Sequence, residues 1–371
     1  MRQEIQTMIV KSIELSKFRN YDLLTMDFDA HINILYGDNA QGKTNVLESI
    51  YYAGTTKSHR SSKDREMIKI GENEAHIRMV IEKRQVSHRI DMHLKKNKTK
   101  GIAIDGIPIR RSSDLIGLVN VVFFSPEDLS IIKNGPGERR RFLDMELCQL
   151  DKVYLHNLSK YNKIIVQRNN LLKQLADKKE LLETLEVWDL QLLEYGSKII
   201  KRRQEFIEQL TRIICDIHAK LSGGKETLTV SYEPNVSESE FGTKLKKSRE
   251  RDIYLKTTNH GPHRDDISFQ IGEIDIRKYG SQGQQRTSAL SLKLSEIEMV
   301  RNVIGESPIL LLDDVLSELD RNRQNHLLDS INDTQTIITC TGLEEFVQKR
   351  IQINKIYEVV QGNVTPKYLE V

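Results

Sequence analysis

The loop from Gly37 to Thr44 has the residue types and spacing that bind the phosphates of a nucleotide. It reads Gly-Asp-Asn-Ala-Gln-Gly-Lys-Thr and lies between an apolar, strand-like run and a helix-like segment. The pattern G-x-x-x-x-G-K-[ST], after a strand and before a helix, is typical of a phosphate-binding loop. Gly37 and Gly42 let backbone N–H groups face the phosphates, Lys43 adds a positive charge, and Thr44 can hold Mg²⁺. The loop therefore predicts binding of a nucleoside triphosphate with Mg²⁺.

A second apolar run ends in two carboxylates. Residues 308–315 read Pro-Ile-Leu-Leu-Leu-Asp-Asp-Val, which predicts a short buried strand with Asp313 at its carboxyl end. Beside a phosphate-binding loop, such an aspartate holds Mg²⁺ directly or through water. Asp314 points in a different direction and can orient or deprotonate the attacking water. A turn or a helix cap would otherwise explain two aspartates after a strand, but the phosphate-binding loop requires this partner.

The segment Ser281-Gln282-Gly283-Gln284-Gln285 lies between these two motifs in the chain and precedes a helix-like stretch. Serine is a common helix N-cap, and capping alone would explain its presence. A serine hydroxyl and a glycine N–H at a helix N-terminus also form a site for an anion. If the protein dimerises, that site reaches a γ-phosphate held by the second copy. The order of the three motifs favours this second interpretation.

The composition is typical of a soluble protein of a reducing compartment. The 371 residues are too many for one simple core, so we expect two lobes. Charged residues make up 29% of the chain but the net charge is only +3, so a nucleic-acid surface requires local clusters of basic residues. The 3 cysteines form no C-x-x-C pair, and no apolar run approaches the roughly 18 residues that span a bilayer. We therefore expect a cytoplasmic protein.

Strand-like runs dominate the first part of the chain and helix-like runs the middle part. Apolar patterns predict strands at residues 9–15, 23–28, 32–36, 77–82 and 88–94. Residues 151–221 contain no proline and carry leucine and isoleucine at helical spacing. This pattern predicts two long helices that break near residues 176–180 and pack antiparallel.

Three basic segments are candidates for contacts with nucleic-acid phosphates. Their members are Lys95, Lys96 and Lys98 at the tip of a predicted hairpin (88–104), Arg139 and Arg140 in an arginine run, and Lys246 and Lys247 in a predicted linker (244–251). A solvated turn explains the hairpin tip as well as a phosphate contact does, and a solvated loop explains the linker equally well. Because the arginine run adjoins Phe142 and Leu143, we expect at least one of its arginines to make a structural pair.

With these motifs in this order, the chain resembles the ABC-type ATPase heads of DNA-repair proteins in the SMC-like superfamily. The signature of those heads is usually Leu-Ser-Gly-Gly-Gln, and residues 281–285 look like it, with Gln282 where glycine is common. Asn39 matches their G-x-N-x-x-G-K-[ST] loop, and residues 317–320 look like their D-loop. Further similar stretches are residues 18–21, 57–60, 124–128, 139–144 and 261–266. The resemblance extends from about residue 9 to residue 345.

The resemblance implies an α/β fold, a two-lobe ABC-type P-loop ATPase head with a helical second lobe. Residues 1–125 and 305–371 would form lobe I, which carries the Walker A loop and the Walker B strand. Residues 126–304 would form lobe II, which carries the helical arm and the signature motif.

The resemblance also implies an ATP-gated dimeric clamp that holds DNA. ATP would lie between two copies, and its binding residues would be Gly37, Asn39, Gly42, Lys43, Thr44 and Arg19 of one copy with Ser281, Gly283 and Gln284 of the other. Thr44 and Asp313 would hold Mg²⁺, and Lys43, Asp313 and Asp314 would carry the catalysis. The clamp would recognise single-/double-stranded DNA junctions or gaps, largely independently of base sequence. It would load recombinase with a RecR-like mediator protein in recombinational repair and replication restart, without a membrane partner.

Three departures from the transporter-type heads of the same superfamily predict slow hydrolysis. The Q-loop glutamine of those heads is missing from residues 124–128, where Glu127 or Asp128 would take its place. Those heads have glutamate after the Walker B aspartate, whereas this chain has the shorter Asp314. They also have a histidine at the end of the next strand, where residues 336–341 read Thr-Ile-Ile-Thr-Cys-Thr. We therefore expect a weak, DNA-stimulated ATPase in which hydrolysis acts as a switch. Two alternatives stay open: the nucleotide-binding subunit of an ABC transporter, and a structural DNA clamp in which hydrolysis is incidental.

Overall fold

The computed structural model describes residues 6–61, 63–175, 179–331, 333–342 and 353–367. The chain divides into two compact units. Unit 1 comprises Met1–Asp128 and Glu296–Val371, and unit 2 comprises Leu129–Ser295. The lobe boundaries inferred from the resemblance stay a prediction.

Most of the described strands belong to unit 1. In chain order, the described strands are β1 (Gln6–Thr7), β2 (Ile9–Phe18), β3 (Tyr21–Asp27), β4 (Ile32–Tyr36), β5 (Glu74–Lys83), β6 (Val86–Lys95), β7 (Lys98–Ile104), β8 (Ile107–Pro108), β9 (Val121–Phe124), β10 (Leu228–Glu233), β11 (Asp266–Ile271), β12 (Ile274–Asp275), β13 (Glu306–Ser307), β14 (Ile309–Asp313), β15 (Thr336–Cys340), β16 (Lys355–Val360) and β17 (Asn363–Lys367).

The helices lie in both units. The described α-helices are α1 (Lys43–Thr55), α2 (Leu129–Lys133), α3 (Pro136–Leu150), α4 (Lys152–Gln174), α5 (Leu182–Leu221), α6 (Phe241–Lys247), α7 (Arg249–Leu255), α8 (Ile276–Tyr279), α9 (Gln282–Ile304) and α10 (Arg321–Ser330). Short 3₁₀ helices lie at Asp64–Met67, Ser112–Asp114, Pro126–Asp128, Lys179–Leu181, Pro262–Arg264 and Leu316–Glu318. Within the described ranges, none of the helices has the length and apolar character needed to cross a bilayer.

The sheet that positions the candidate site has six strands, in the order β17-β16-β4-β15-β14-β9. Its strands run parallel except β17, which is antiparallel at one edge. Parallel strands end at the same edge of a sheet, so β4 and β14 carry the phosphate-binding loop and Asp313 to one place. β15 lies between them, with Thr339 in register with Asp313. The strand predicted at 32–36 and the Walker B strand are confirmed.

The second six-stranded sheet of unit 1 is antiparallel, in the order β3-β2-β5-β6-β7-β8. Along β5, buried and exposed residues alternate, so one face of the sheet packs on the core and the other faces solvent. The buried face shares one apolar cluster with α1. The four remaining predicted strands are confirmed with bounds shifted by a few residues, and the predicted hairpin is confirmed as β6 and β7.

Two long antiparallel helices, α4 and α5, form much of unit 2. Arg203 on α5 lies 3.0 Å from the hydroxyl of Tyr154, near the start of α4. Arg168, near the end of α4, lies 2.7 Å from Asp189, near the start of α5. This order of contacts along the two helices shows that they run antiparallel, as predicted. Residues 176–178 of the predicted break lie outside the described residues.

The basic segment 244–251 is helical, so its prediction as a linker is wrong. α6 and α7 cover most of it, and only Ser248 separates them. The charged residues dominate its composition, but Phe241 and Leu245 lie four residues apart on one helical face, and both are buried. This apolar pair gives α6 a buried side, while Lys246 and Lys247 stay exposed.

A buried ion pair joins the helices of unit 2. The fully buried Arg168 side chain donates to Asp189 at 2.7 Å, to Asp252 at 2.8 Å and to Thr258 at 2.9 Å. Removing one partner of such a network leaves a buried charge without compensation, which typically costs about 3–5 kcal/mol. Trp188, the single tryptophan of the chain, packs beside this region and can report on it by fluorescence.

We expect Arg168→Ala to lower the free energy of unfolding by about 3–5 kcal/mol, because Asp252 would stay buried without its cation. Urea titration followed by Trp188 fluorescence measures this loss. Lys198→Ala is the matched control, since it removes an exposed pair with Glu194 and a cation–π contact with the Tyr195 ring, and it should cost less than about 1 kcal/mol. Equally small losses for both variants would contradict the structural role of the buried pair.

Candidate nucleotide-binding site

The backbone of the phosphate-binding loop requires glycine near both ends. Gly37, directly after β4, has φ 148°, and a Cβ atom there would collide with the Val359 carbonyl group on β16. Gly42 has φ 112°, and a Cβ atom there would lie 2.5 Å from the Asn20 side chain. Residues with side chains rarely adopt these conformations. The loop therefore takes this course only because both residues are glycine.

Lys43, the first residue of α1, folds back onto the loop. Its ammonium group donates to the carbonyl oxygen of Gly37 at 2.6 Å and to that of Asp38 at 2.8 Å. Burial lowers the pKa of Lys43, and the nearby carboxylates, Asp314 first among them, act in the opposite direction. Phosphate oxygens carry charge and are stronger acceptors than carbonyl groups. The ammonium group is thus held where it can exchange two carbonyl groups for phosphate.

Three oxygen-bearing side chains meet at the carboxyl ends of β14 and β15. The hydroxyl groups of Thr44 and Thr339 both donate to Oδ1 of Asp313, each at 2.8 Å. Hydroxyl and carboxylate oxygens are ligands that Mg²⁺ prefers, so Thr44 and Asp313 fit a magnesium ion. The guanidinium group of Arg60 lies 3.4 Å from the other oxygen of Asp313 and supplies a positive charge there.

Asp314 has a left-handed backbone conformation, with φ 53°. Its N–H donates to the Thr339 hydroxyl at 3.0 Å, and its carbonyl oxygen accepts from Ser317 at 2.8 Å. Non-glycine residues in this conformation are uncommon, and such strain persists where surrounding bonds hold it, often at functional sites. The turn directly after β14 gives Asp313 and Asp314 different directions, as the sequence predicted.

A cavity of about 230 Å³ opens at this edge of the sheet. Its lining residues are Asn39, Ala40, Gln41, Gly42, Lys43, Thr44, Asn45, Arg60, Asp313, Asp314 and Thr339. Six of them were predicted as site residues from the sequence. Arg60 and Thr339 were missed as site residues. Arg60 lies in one of the stretches that carry the family resemblance, and Thr339 lies on the strand where transporter-type heads have a histidine. The sequence therefore contained a pattern that could have identified each of them as a site residue.

Arg19 was predicted to bind the nucleotide, but the structure places it against α1. Its Nε and Nη2 atoms each lie 2.8 Å from the buried carboxylate of Glu48. Burial raises the pKa of Glu48, but hydrogen bonds from Arg19 and Ser58 outweigh it and hold the pKa below its ordinary value. The hydroxyl of Tyr21 donates to the Gly42 carbonyl oxygen at 3.0 Å. This segment supports the loop and α1, and Arg19 does not line the cavity.

In unit 2, the signature residues form the start of α9. The N–H of Ser281 donates to the side-chain oxygen of Gln284 at 3.0 Å, and the N–H of Gln284 donates to the Ser281 hydroxyl at 3.2 Å. This reciprocal pair is a capping box, so Ser281 is the N-cap. Helix geometry leaves the N–H groups of Gln282 and Gly283 without intrahelical acceptors, and both residues are exposed. The start of α9 therefore presents N–H groups that can bind an anion.

A polar chain connects the signature to the end of α5. The amide group of Gln284 donates to Glu226 at 2.9 Å, and the other oxygen of Glu226 lies 3.4 Å from His218. The fully buried His218 ring also lies 2.9 Å from the hydroxyl of Ser291 on α9. These contacts fix the start of α9 against the long helix.

Most of the predicted nucleic-acid contacts lie at the surface. The exposed side chains among them are Lys96, Lys98, Lys246 and Lys247. Lys95 is half-buried, and its ammonium group lies 3.5 Å from Glu74. The four exposed lysines are therefore the better candidates for phosphate contacts.

Arg139 is not a surface contact, so its prediction as a DNA-binding residue is wrong. The side chain is buried and pairs with both oxygens of Asp266, and it also donates to the carbonyl oxygen of Asn134 at 2.6 Å. Arg140 donates to the carbonyl oxygen of Asp265 at 2.7 Å. The expectation that at least one arginine of the run makes a structural pair is confirmed.

Relatives with curated names match nearly the whole chain. The family model described as the RecF/RecN/SMC N terminal domain matches residues 9–365. A protein of Lachnoclostridium phytofermentans named DNA replication and repair protein RecF is 67% identical over 357 residues, which cover 96% of this chain and 99% of that protein. A protein of the same name from Agathobacter rectalis is 62% identical over 357 residues, with the same coverage.

Solved structures agree with these relatives. The structure described as the recombination mediator protein RecF-ATP in the RecFOR pathway has a TM-score of 0.92 and 34% identity, and covers 99% of this chain and 100% of its own. The Smc head domain of Pyrococcus furiosus has a TM-score of 0.58 at 16% identity, covers 98% of this chain and 97% of its own, and shows the fold alone. The chain therefore belongs to the RecF family of DNA replication and repair proteins and has the α/β fold of an ABC-type ATPase head.

Proposed function

We propose that this chain is an ATP-gated DNA clamp of recombinational repair and replication restart, closed by two ATP molecules between two copies of the chain. The observation that carries the proposal is the pairing of Thr44 and Thr339 with Asp313 beside the phosphate-binding loop. The solved relative with ATP in its description supports ATP as the nucleotide. Membership of the RecF family excludes the alternative of a transporter subunit.

The cavity of unit 1 supplies one half of the proposed ATP site. Backbone N–H groups of the loop and the Lys43 ammonium group bind the phosphates, and Thr44 and Asp313 hold Mg²⁺. When bound, Mg²⁺ neutralises charge on the β- and γ-phosphates. This site favours binding of a triphosphate over rapid turnover, because Lys43 is held where it can bind phosphate, whereas the attacking water is oriented by the short side chain of Asp314.

The second half of the site comes from the other copy. Ser281 and Gly283 are exposed at the start of a 23-residue helix, where the helix dipole and unpaired N–H groups attract an anion. In the proposed dimer this anion is the γ-phosphate held by the partner's loop. Two such sites related by a twofold axis join the copies only while the γ-phosphate is present.

Hydrolysis opens the clamp slowly in this proposal. Asp314 orients the attacking water, but its side chain is one methylene shorter than glutamate and reaches less far. Thr339, rather than a histidine, lies beside both aspartates at the end of β15. A structural clamp in which hydrolysis is incidental would use the same binding residues. The two proposals differ in what happens when hydrolysis is blocked, since only the ATP-gated clamp should then form longer-lived dimers.

The proposed DNA surface consists of exposed lysines that contact phosphates without reading bases. Single-/double-stranded junctions or gaps as targets, and a RecR-like mediator that helps to load recombinase, are proposed from the family and from the RecFOR pathway named for the solved relative. Sedimentation with and without ATP and gapped DNA tests the clamp most directly. A monomer under every condition would overturn it.

Asp314→Asn should lower the rate of ATP hydrolysis at least about tenfold while ATP binding is retained. Asparagine tolerates the left-handed backbone of Asp314, so the change isolates the charge. In the clamp proposal, the ATP-bound dimer then outlives that of the wild type, as measured by phosphate release and by sedimentation velocity. Asp329→Asn, an exposed change on α10, is the matched control. Unchanged turnover and dimer lifetime would remove the role assigned to Asp314.

Mixing two inactive variants tests whether each ATP site is shared. Lys43→Ala removes the phosphate-binding charge, and Ser281→Arg blocks the start of α9 with a bulky cation. A mixed dimer contains one intact site, formed by Lys43 of one copy and Ser281 of the other. We expect each variant alone to lose ATP-dependent dimerisation. The mixture should recover ATP-dependent dimerisation and also ATP hydrolysis. No recovery, with both variants folded as judged by circular dichroism, would show that the two residues do not act across an interface.

Replacing Lys246 and Lys247 by alanine should weaken DNA binding and reduce its salt dependence. Each lost phosphate contact lowers the slope of log affinity against log salt by about 0.9 on duplex DNA, so both together lower it by up to roughly 2. Fluorescence anisotropy with gapped DNA, ATP and a series of salt concentrations measures the slope. Lys11→Ala, an exposed lysine paired with Glu82, is the control. An unchanged slope would exclude α6 from the DNA surface.

A further inference from the structure

Two histidines and a glutamate lie together on the antiparallel sheet of unit 1. His76 on β5 is directly opposite His93 on β6, and Glu74 lies two residues before His76, so all three share one face. The two rings stack with centroids 4.0 Å apart, and Glu74 lies 3.0 Å from Nε2 of His93. None of the three residues lines the nucleotide cavity.

The spacing of these side chains suits a metal ion with three protein ligands. One ligand atom from each residue lies within 4.8 Å of the other two. A tetrahedral Zn²⁺ ion holds its ligands at about 2.0–2.2 Å, which puts neighbouring ligand atoms roughly 3.3–3.6 Å apart. The Glu74 and His93 side chains are 52% and 35% exposed, so rotation about their side-chain bonds can close the remaining distance.

The ligand types select among cations. Imidazole nitrogen suits Zn²⁺ and its neighbours in the first transition row, whereas Mg²⁺ and Ca²⁺ prefer ligand sets made of oxygen alone. We propose that Glu74, His76 and His93 bind a Zn²⁺-class divalent cation that bridges β5 and β6. The three protein ligands leave a fourth position for water. The Lys95 ammonium group, 3.5 Å from Glu74, competes with the cation for this carboxylate and has to turn away when the cation binds.

A bridge between β5 and β6 would stabilise the sheet in which they lie. Ligands that bind only the folded state raise its stability by mass action. His76 and His93 also line a surface groove of about 560 Å³, so the site is open to exchange with solvent. The proposal is independent of ATP binding, because it uses none of the residues assigned to the nucleotide or to the signature.

Titration of the full chain with Zn²⁺, after removal of any affinity tag and with Mg²⁺ in excess, tests the proposal. We expect one Zn²⁺ per chain with a Kd of roughly 10 µM or tighter, measured by competition with a chromophoric chelator. His93→Ala should weaken this binding by about tenfold or more and, at the same Zn²⁺ concentration, reduce the rise in melting temperature that Zn²⁺ produces. His88→Ala is the matched control on the same strand, where His88 pairs with Asp105 instead. This control should bind Zn²⁺ as the wild type does.

Glu74→Gln provides a second variant that keeps the size of the side chain and removes its charge. It should also weaken Zn²⁺ binding, with unchanged circular dichroism as evidence of an intact fold. Co²⁺ in place of Zn²⁺ should give visible absorption bands in the wild type that His93→Ala loses. Absence of Zn²⁺ binding below about 1 mM would overturn the proposal. Equal affinity and stoichiometry in the wild type, His93→Ala and Glu74→Gln would also overturn it, since the ion would then be held elsewhere.

Discussion

The carboxylate of Asp313 is the point on which the candidate site depends. Its Oδ1 atom accepts hydrogen bonds from Thr44 and Thr339, both at 2.8 Å, and these three residues come from α1, β14 and β15. The bonds require β14 and β15 to be neighbours in register and α1 to begin at the edge where these strands end. A slip of one residue in register would turn Asp313 to the opposite face of the sheet. The hydrogen bonds to Asp313 therefore depend on the strand order and register of the parallel sheet.

The opposite end of the same sheet is fixed by a buried side chain. Gln335, directly before β15, accepts from the N–H of Val10 at 2.7 Å and donates to the carbonyl oxygen of Val10 at 2.8 Å and to that of Asp29 at 2.7 Å. The side chain is fully buried, so each lost bond would leave an unsatisfied polar group at a cost of about 1–3 kcal/mol. Gln335 thus links β2 of the antiparallel sheet to the start of β15. The parallel strand that carries Thr339 is held at both of its ends.

Local patterns in the sequence were sufficient to predict the strands and helices that carry the motifs. They were insufficient to predict contacts between residues that lie far apart in the chain. β4 occupies the residues predicted for it, because a continuous apolar run before a glycine loop has few other solutions. The pairing of Arg139 with Asp266 joins residues 127 positions apart, and no periodicity reports such a contact. Segment 244–251 was wrongly predicted for a different reason: charges dominate its composition, whereas the buried side of α6 comes from Leu245 and from Phe241, which precedes the segment. Arg19 matches the family pattern, but its position against Glu48 depends on tertiary packing.

The two interpretations of Ser281 from the sequence, as a helix cap and as an anion site, are compatible in chemical terms. Capping uses the hydroxyl oxygen as an acceptor, since it receives the N–H of Gln284 at 3.2 Å. A serine hydroxyl also has one hydrogen to donate, and the cap leaves this hydrogen free. The side chain of Gln284 is bound by Ser281 on one side and by Glu226 on the other, so it holds the start of α9 without occupying the exposed N–H groups. An anion placed there would receive the Ser281 hydroxyl hydrogen and helix N–H groups together, which a cap made by an ionised aspartate could not provide because a carboxylate has no hydrogen to donate. Capping by Ser281 is therefore compatible with the proposed anion site, because a donor remains after capping.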